Sequence, residues 1–534
     1  MAVVRTQLLL GGRIYSSSAP DATAMAVTNG VVTWTGEDRT GRALHPGAEE
    51  FDLAGAFVAP AFVDTHVHTT ALGLALIGLD LRDCSSRQEC LGRLRAHVEH
   101  FEDAVVWGHG WDESGWADGG ALSTADLDEV APGRMVYLSR IDAHSAACST
   151  PLRHASALTE SSNGFHPQLP LTTDAHHAVR STARSLLSAA ERSRARHAAL
   201  DHAASRGICA VHECGGPEIA GRTDFAELMR TDHGVEVRGY WGEAVASASD
   251  AHALLAATEA HALGGDLFVD GSLGSHTAWL TEPYADHVGT GVAFLDVDAI
   301  HTHLTACTEA GIQSGFHAIG DGAVGAVVEG VQRAASVLGG PSVASLGHRI
   351  EHMEMVLPLQ AEALASWGVI GSMQPVFDDL WGGESSLYAT RLGAARARSL
   401  NPFALLAAAG VSLAFGSDAP VTSLDPWAML RAAVNHRTPG SAISPRAAFS
   451  AATRGAWRAG GVRDGMAGTL APGAPASYAI WDVDELVVRA PADTVARWST
   501  DPRAGVPPLP ALDTDSSSPR CLRVVHRGRV IHEG

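Results

Sequence analysis

The chain has 534 residues, of which 46% are hydrophobic and 18% charged, and its formal net charge is −21. This length indicates one large barrel with attachments or two to three domains, and this composition excludes a disordered chain or a small scaffold. The acidic balance, without a long basic run, excludes nucleic acid as an expected partner and argues against adhesion to anionic membranes.

The sequence contains no lysine, so its 38 basic residues are all arginine. This absence rules out a Schiff-base lysine, a phosphate-loop lysine and a carbamylated lysine that bridges metals. The seven cysteines are scattered and never form a Cys-x-x-Cys spacing, which argues against a disulfide framework and fits a reducing compartment. With neither a signal peptide nor a run of about 18 apolar residues, we expect a cytoplasmic protein without a membrane span.

Both ends of the chain predict β-structure. Residues 6–16, 24–35 and 50–59 are short apolar runs cut by glycine and Asn-Gly turn signals, and residues 476–484 and 521–534 repeat this pattern. Strands this short cannot bury a core alone. We therefore predict a composite β-sandwich built from residues 1–58 and 468–534.

Between the two ends, strand and helix patterns alternate. The eight predicted strands span 57–68, 207–213, 235–241, 266–271, 312–318, 346–352, 368–375 and 411–418. Alanine-rich helical segments at 181–206, 298–311, 322–338 and 400–409 separate most of them. This pattern predicts an α/β fold, a (β/α)8 TIM barrel over residues 59–467. The stretch of about 70–180 is too long for the first crossover and predicts an inserted subdomain after strand 1.

Histidines and an aspartate recur at the ends of the predicted strands. His66 and His68 are two residues apart, so both side chains leave the same face of a strand. Alone, this pair fits a metal site or two hydrogen-bonded core histidines equally well. His317, His352 and Asp418 close the fifth, sixth and eighth strands, at the end where barrels place their active sites. Together the five side chains predict a divalent metal, for which nitrogen-rich ligation favours zinc.

In these motifs the sequence resembles the amidohydrolase superfamily. Within that superfamily it resembles amidohydrolase family 3, the YtcJ-like branch that includes N-substituted formamide deformylases. The resemblance rests on APAFVDTHVH, GHGWDESGW, DGSLGSHTAWLTEPY, FHAIGDGAV, RIEHMEM and FGSDAPVTSLDP. It implies a barrel with a β-sandwich from both termini and places the five side chains at ligand positions. Many members carry a bridging carbamylated lysine where this chain has Asp266. Without lysine, the resemblance leaves one metal, or two joined by Asp266 or Asp270.

The predicted chemistry is attack of metal-activated water on a non-peptide C–N bond, in an N-substituted amide or formamide. Asp418 is the expected general base and later proton donor, and His352 either completes a second metal site or hydrogen-bonds the developing oxyanion. Glu351 alternates to the opposite face and is interpreted as structural. Two alternatives stay open: a hydrolytic deaminase of a ring substrate, and a catalytically inactive binding or regulatory protein of the same fold. We expect a small-molecule substrate and a homodimer.

Four further residues are candidates for substrate binding. Asp270 either touches substrate or caps its own loop through backbone hydrogen bonds. His109, Trp111 and His144 of the insert are expected to line a lid, although Trp111 fits packing within that subdomain equally well.

Overall fold

The computed structural model describes residues 5–100, 104–117, 120–141, 143, 145–488 and 507–534. Residues 5–60 form short strands and one helix. These elements are β1 (Thr6–Leu10), β2 (Arg13–Ile14), β3 (Ala24–Thr28), β4 (Val31–Gly36), α1 (Asp38–Leu44), β5 (Glu49–Asp52) and β6 (Phe57–Pro60). The predicted opening strand 57–68 is thus divided at Ala61, because its first half pairs elsewhere.

The next segment holds the strand that carries His66, followed by the insert. Its elements are β7 (Phe62–Val67), α2 (Thr69–Ile77), β8 (Leu79–Asp80), α3 (Arg87–His100), β9 (Val106–Trp111), α4 (Thr124–Val130), β10 (Val136–Arg140), β11 (Ser145–Cys148), α5 (Thr150–Ala155), β12 (Leu171–Thr172) and α6 (Thr173–Leu186). Strands β8 to β12 form one five-stranded sheet in the order β12-β11-β10-β9-β8. The insert therefore has a sheet of its own.

The central segment alternates strands and helices. Its elements are α7 (Ala189–Ser205), β13 (Ile208–Gly215), α8 (Gly221–Met229), β14 (Glu236–Trp241), α9 (Ala248–Thr258), β15 (Ala262–Leu263), α10 (Val297–Glu309), β16 (Gly315–Ala318), α11 (Asp321–Leu338), α12 (Gly340–Ala344), β17 (Arg349–His352), α13 (Pro358–Ser366), β18 (Ile370–Met373), α14 (Pro375–Trp381), α15 (Leu387–Leu392), α16 (Ala394–Ala397), α17 (Phe403–Ala409), β19 (Ser412–Phe415), α18 (Pro426–Val434), α19 (Pro445–Ser450) and α20 (Ala456–Ala459). None of the helices in the described ranges is long and apolar enough to cross a membrane.

The last segment returns to strands, namely β20 (Tyr478–Asp482), β21 (Leu486–Val487), β22 (Leu509–Pro510), β23 (Arg520–His526) and β24 (Arg529–Glu533). Strands from both ends of the chain share the sheet β2-β6-β20-β23-β24, and β4-β3-β1-β5 forms a second sheet. Side chains of both sheets, including Leu9, Met25, Tyr478 and Val525, lie in one buried apolar cluster.

The predicted barrel strands form two four-stranded parallel sheets. One has the order β15-β14-β13-β7 and the other β16-β17-β18-β19. Single parallel bridges, Val67 to Ala419 at one edge and Leu263 to Ser314 at the other, connect the two sheets. In the described part of the chain the ladders do not run through these edges as one continuous eight-stranded sheet.

Two predicted elements are wrong in their bounds. The strand predicted at 266–271 lies instead at Ala262–Leu263, because Gly265 takes a positive φ of 71° that breaks the extended chain. Only Phe268 makes a strand-like bridge beyond this kink, to His317. The helix predicted at 181–206 is two helices, because Ser188 and Glu191 form a capping box that begins α7.

Candidate metal centre

The six predicted ligands converge on one place. His66 lies in β7, His68 caps α2, His317 lies in β16 and His352 ends β17, while Asp418 and Asp266 follow β19 and β15. Within the described residues, four sets of side chains bring one donor atom each to within 4.8 Å of the others. Three of them consist of predicted ligands, namely His66, His352 and Asp418; His66, His68 and Asp266; and Asp266, His317 and His352. The fourth joins His66 to Cys214 and Glu351.

A buried aspartate fixes the two strands that carry most of the first set. Asp64 accepts hydrogen bonds from the backbone N–H groups of His66 (3.1 Å) and Ser417 (2.9 Å), and Asp418 donates its backbone N–H to the His66 carbonyl at 2.7 Å. Burial raises the pKa of the Asp64 carboxyl to about 6, although these donors oppose the shift. Sequence analysis missed Asp64, but its position two residues before His66 puts it in the same alternation as the two histidines.

Two of the candidate ligands have a strained backbone. His352 and Asp418 take φ values of 67° and 56°, in the left-handed region that non-glycine residues rarely adopt. Each such residue costs on the order of 1–3 kcal/mol, and such strain concentrates at functional sites. This backbone conformation directs the side chains of His352 and Asp418 toward the space that His66 and His68 also face.

The two carboxylates contact the same two imidazoles. Asp418 Oδ1 lies 3.1 Å from His68 Nε2 and 3.5 Å from His66 Nε2. Asp266 places Oδ1 3.3 Å from His66 Nε2 and Oδ2 3.4 Å from His68 Nε2. Burial alone would raise the pKa of both carboxyls, but the neighbouring imidazoles lower it below its usual range. Both groups are therefore ionised at neutral pH.

These atoms lack the partners that a buried charge requires. His66 Nε2, Asp266 Oδ1 and Asp418 Oδ1 are buried, and among the described residues none has a hydrogen-bond partner, because the contacts above do not have hydrogen-bond geometry. Neither carboxylate forms an ion pair with any arginine of that part of the chain. No arginine compensates these two buried carboxylates, so the compensating charge must come from protonated imidazoles or from a metal cation. A converging set of imidazole nitrogens and carboxylate oxygens fits a divalent metal, and it is the chemistry that zinc accepts.

The second ring nitrogen of His66, Nδ1, contacts a buried ion pair between Glu351 and Arg349. His66 Nδ1 lies 3.0 Å from Glu351 Oε2, and Arg349 donates two hydrogen bonds of 2.9 Å to the Glu351 carboxylate. All three side chains are fully buried. Burial alone would raise the pKa of Glu351, but Arg349 and His66 hold it at about 2. Glu351 is therefore more than the structural residue predicted from its alternation, because it contacts a candidate ligand directly.

Asp270 caps its loop. Its fully buried carboxylate accepts hydrogen bonds from the backbone N–H groups of Trp279 (2.9 Å), Ile319 (3.0 Å) and Gly320 (2.8 Å). Oδ1 also lies 3.4 Å from His317 Nδ1. Of the two roles weighed for Asp270, this geometry favours capping over substrate contact. Asp270 belongs to none of the four donor sets in the described chain.

None of the described candidates from the insert belongs to a donor set. Trp111 is 1% exposed, packs in the insert's own core and donates its indole N–H to the Leu138 carbonyl, so of its two interpretations this geometry favours packing. His109 lies in β9 and is also buried, with Nδ1 2.7 Å from Ser139 Oγ. His144 lies outside the described residues.

The chain is similar to known proteins over most of its length. A model of the Amidohydrolase family matches residues 49–532. Protein LONG AFTER FAR-RED 3 of Arabidopsis thaliana is 29% identical, covering 90% of this chain and 88% of that protein. Putative amidohydrolase YtcJ of Bacillus subtilis (strain 168) is 26% identical, covering 79% and 82%. The crystal structure of an uncharacterized metal-dependent hydrolase from Pyrococcus furiosus superposes with a TM-score of 0.71 at 27% identity, covering 90% of this chain and 99% of that chain.

Proposed function

This chain belongs to the amidohydrolase family, as its motifs indicated, and on that premise we propose that it cleaves a non-peptide C–N bond in an N-substituted amide or formamide. One observation carries the proposal. Two buried carboxylates, Asp266 and Asp418, face imidazole nitrogens at 3.1–3.5 Å, and no arginine of the described chain pairs with either. The family match and the similar metal-dependent hydrolase from Pyrococcus furiosus support hydrolysis with a divalent metal. The substrate class, an N-substituted amide or formamide, is what we propose in addition.

We assign the ligands from the donor sets. His66, His68 and Asp266 form one set and Asp266, His317 and His352 another, with Asp418 joined to His66 and His352. Because Asp266 belongs to two sets, we propose that it is shared between two ions, in place of a bridging lysine. Bound there, a divalent cation would supply Lewis acidity to a substrate carbonyl and lower the pKa of water, and zinc suits these ligands.

The protein's own residues supply proton transfer. Asp418 is ionised, 7% exposed and beside His68, whose side chain is 15% exposed. In the proposed mechanism, the Asp418 carboxylate takes a proton from the attacking water and returns it to the leaving nitrogen. Burial of His66, His317 and His352 limits the water that can enter. The Glu351–Arg349 pair holds the imidazole of His66 in place, and Asp64 holds its backbone.

We extend the proposal to the architecture and the compartment. The single bridges at both edges support one (β/α)8 barrel over 59–467 with the insert at about 70–180. The shared apolar cluster supports a β-sandwich from 1–58 and 468–534.

The seven cysteines are free, which supports a reducing, cytoplasmic location.

The test combines product analysis with one substitution. Zinc-loaded protein is assayed against N-substituted formamides, other amides and ring amines, with separate detection of formate or carboxylate and of ammonia. Release of formate or carboxylate supports the proposal, whereas release of ammonia from ring amines establishes the deaminase instead. Asp418→Asn keeps an oxygen ligand but loses the proton acceptor, so we expect kcat to fall about 10²–10⁴-fold with the metal retained.

The matched control is Asp425→Asn. Asp425 accepts a hydrogen bond from the Ala428 N–H at the start of α18 and contacts no candidate ligand, and asparagine caps helices equally well. We expect this variant to keep wild-type activity. Full activity in Asp418→Asn would contradict its role as base, and a protein that binds no metal and turns over nothing in the panel would establish the non-catalytic alternative.

A further inference from the structure

Gln374 contacts one of the candidate ligands from outside the donor sets. It follows β18, is 1% exposed, and places Oε1 2.7 Å from Nδ1 of His352. Its Nε2 lies 3.3 Å from the backbone carbonyl oxygen of Ser372. Sequence analysis did not identify Gln374, because a single glutamine after a strand carries no spacing signal.

The neighbours of the Gln374 amide define its orientation. The Ser372 carbonyl can only accept a hydrogen bond, so the amide N–H end of Gln374 must face it. The opposite orientation would set two carbonyl oxygens 3.3 Å apart and leave a buried donor facing the imidazole. Oε1 therefore faces His352, and since an amide oxygen only accepts, His352 Nδ1 must carry the proton.

This hydrogen bond determines what the other nitrogen of His352 can do. A neutral imidazole protonated on Nδ1 presents a lone pair on Nε2, which can ligate a cation but cannot donate to an oxyanion. We infer that Gln374 is a positioning residue that holds His352 in the ligand tautomer. The inference rests on the proposed function and separates the two roles that sequence analysis left open for His352.

The surroundings of His352 explain why the group that accepts its Nδ1–H hydrogen bond is a neutral amide rather than a carboxylate. Phe377 stacks on the His352 ring with a centroid distance of 5.8 Å and an angle of 11°, which leaves an apolar face beside the glutamine. At His66 the corresponding acceptor is the charged Glu351, which Arg349 neutralises. No arginine contact to Gln374 occurs in the described residues, so an amide there avoids an unpaired buried charge.

The experiment measures metal affinity directly. Metal-free wild type, Gln374→Met and Gln374→Glu are titrated with Zn²⁺ in competition with a chromophoric chelator. Gln374→Met removes the acceptor and should bind Zn²⁺ about 10–100-fold more weakly, because such partners orient the ligand and raise its basicity. Gln374→Glu keeps an acceptor and should bind at least as tightly as the wild type.

Gln313→Met is the matched control. Gln313 donates its amide N–H to the Gly347 carbonyl at 2.6 Å and contacts none of the candidate ligands, so its substitution should leave Zn²⁺ affinity unchanged. If Gln374→Met does not fold, Gln374→Asn withdraws the amide oxygen by one methylene and should show the same loss. Wild-type affinity in a folded Gln374→Met or Gln374→Asn variant would overturn the positioning role. A wild type that binds no Zn²⁺ overturns the proposed function itself, so the two failures are distinguishable.

Discussion

Among the described residues, Asp266 is the one carboxylate that two non-overlapping histidine pairs share. One of its sets includes His66 and His68, and the other includes His317 and His352. Loss of its side chain should therefore weaken both sets, whereas loss of His317 removes a member of only one. We expect Asp266→Ala to retain less than half an equivalent of zinc per chain and His317→Ala to retain about one.

Elemental analysis of extensively dialysed protein checks this expectation. His436→Ala is a suitable control, since His436 is a buried histidine that contacts Asp378 and Asn401 and belongs to none of the donor sets in the described chain. Equal zinc content in Asp266→Ala and His317→Ala would contradict the sharing of Asp266 between two ions.

Individual residues differed in how well their positions could be predicted. His66 and His68 could be paired because a strand repeats every two residues, and strand ends located His317, His352 and Asp418. Gln374 could not be found, since its contact with His352 depends on two neighbouring strands and one rotamer. Two interpretations of Trp111 stayed open because a tryptophan at the end of a glycine-rich strand gives the same pattern whether it faces a core or a ligand.

At the scale of elements, β17 carries a fully buried ion pair that supports His66. Arg349 donates to Glu351, to the Thr65 carbonyl at 2.7 Å and to Ser372 at 3.0 Å. Arg349→Met would leave a buried carboxylate without its cation, and we expect the free energy of unfolding to fall by about 3–5 kcal/mol. Urea unfolding followed by circular dichroism measures this loss.

The exposed pair Arg42–Glu50 provides the contrast. Its side chains lie 3.2 Å apart but are 55% and 52% exposed, so Arg42→Met should change stability by less than about 1 kcal/mol. A double variant, Arg349→Met with Glu351→Leu, removes both charges and should recover part of the loss. If Arg349→Met is as stable as the wild type, the pair does not hold β17 in place.

A second ion-pair cluster joins β14 to the end of β23. Glu236 accepts from Arg527 at 2.9 Å and Arg238 at 3.0 Å and lies 3.3 Å from His526 Nε2. Burial alone would raise the pKa of Glu236, but His526 and the two arginines lower it to about 2. Because the folded pKa lies below the unfolded value, this stabilisation is present above about pH 4.5 and disappears as pH falls toward 2.

Glu236→Gln should therefore lower the free energy of unfolding by on the order of 2 kcal/mol at pH 7, and the difference from wild type should shrink between pH 5 and pH 3. Urea midpoints measured across that range test the expectation. Asp482→Asn, which removes an exposed pair with Arg520 whose side chains are 58% and 68% exposed, should show little difference at any pH. A pH-independent loss in Glu236→Gln would contradict an ionic origin.

Elements were predicted better than the connections between them. Strands β13, β14 and β17 to β19 lie within one to three residues of their predicted bounds, because buried parallel strands are continuous apolar runs. The fourth strand failed because consecutive glycines end it early and leave Asp266 on irregular chain. The five-stranded sheet of the insert was not predicted, since its strands are short and pair only within that segment.

At the scale of the whole molecule, the candidate ligands connect the two parallel sheets. His66 lies in the sheet of β7 and β15, whereas His317 and His352 lie in the sheet of β16 to β19, and in the described chain only isolated bridges join the edges of the two sheets. A cation held by both sheets should therefore stabilise the fold by RT ln(1 + [L]/Kd), about 4 kcal/mol at a thousandfold excess over Kd. We expect a chelator to lower Tm by several degrees in scanning calorimetry and added Zn²⁺ to restore it, whereas Asp266→Ala should not respond to the chelator. An unchanged wild-type Tm would mean that no cation joins the sheets.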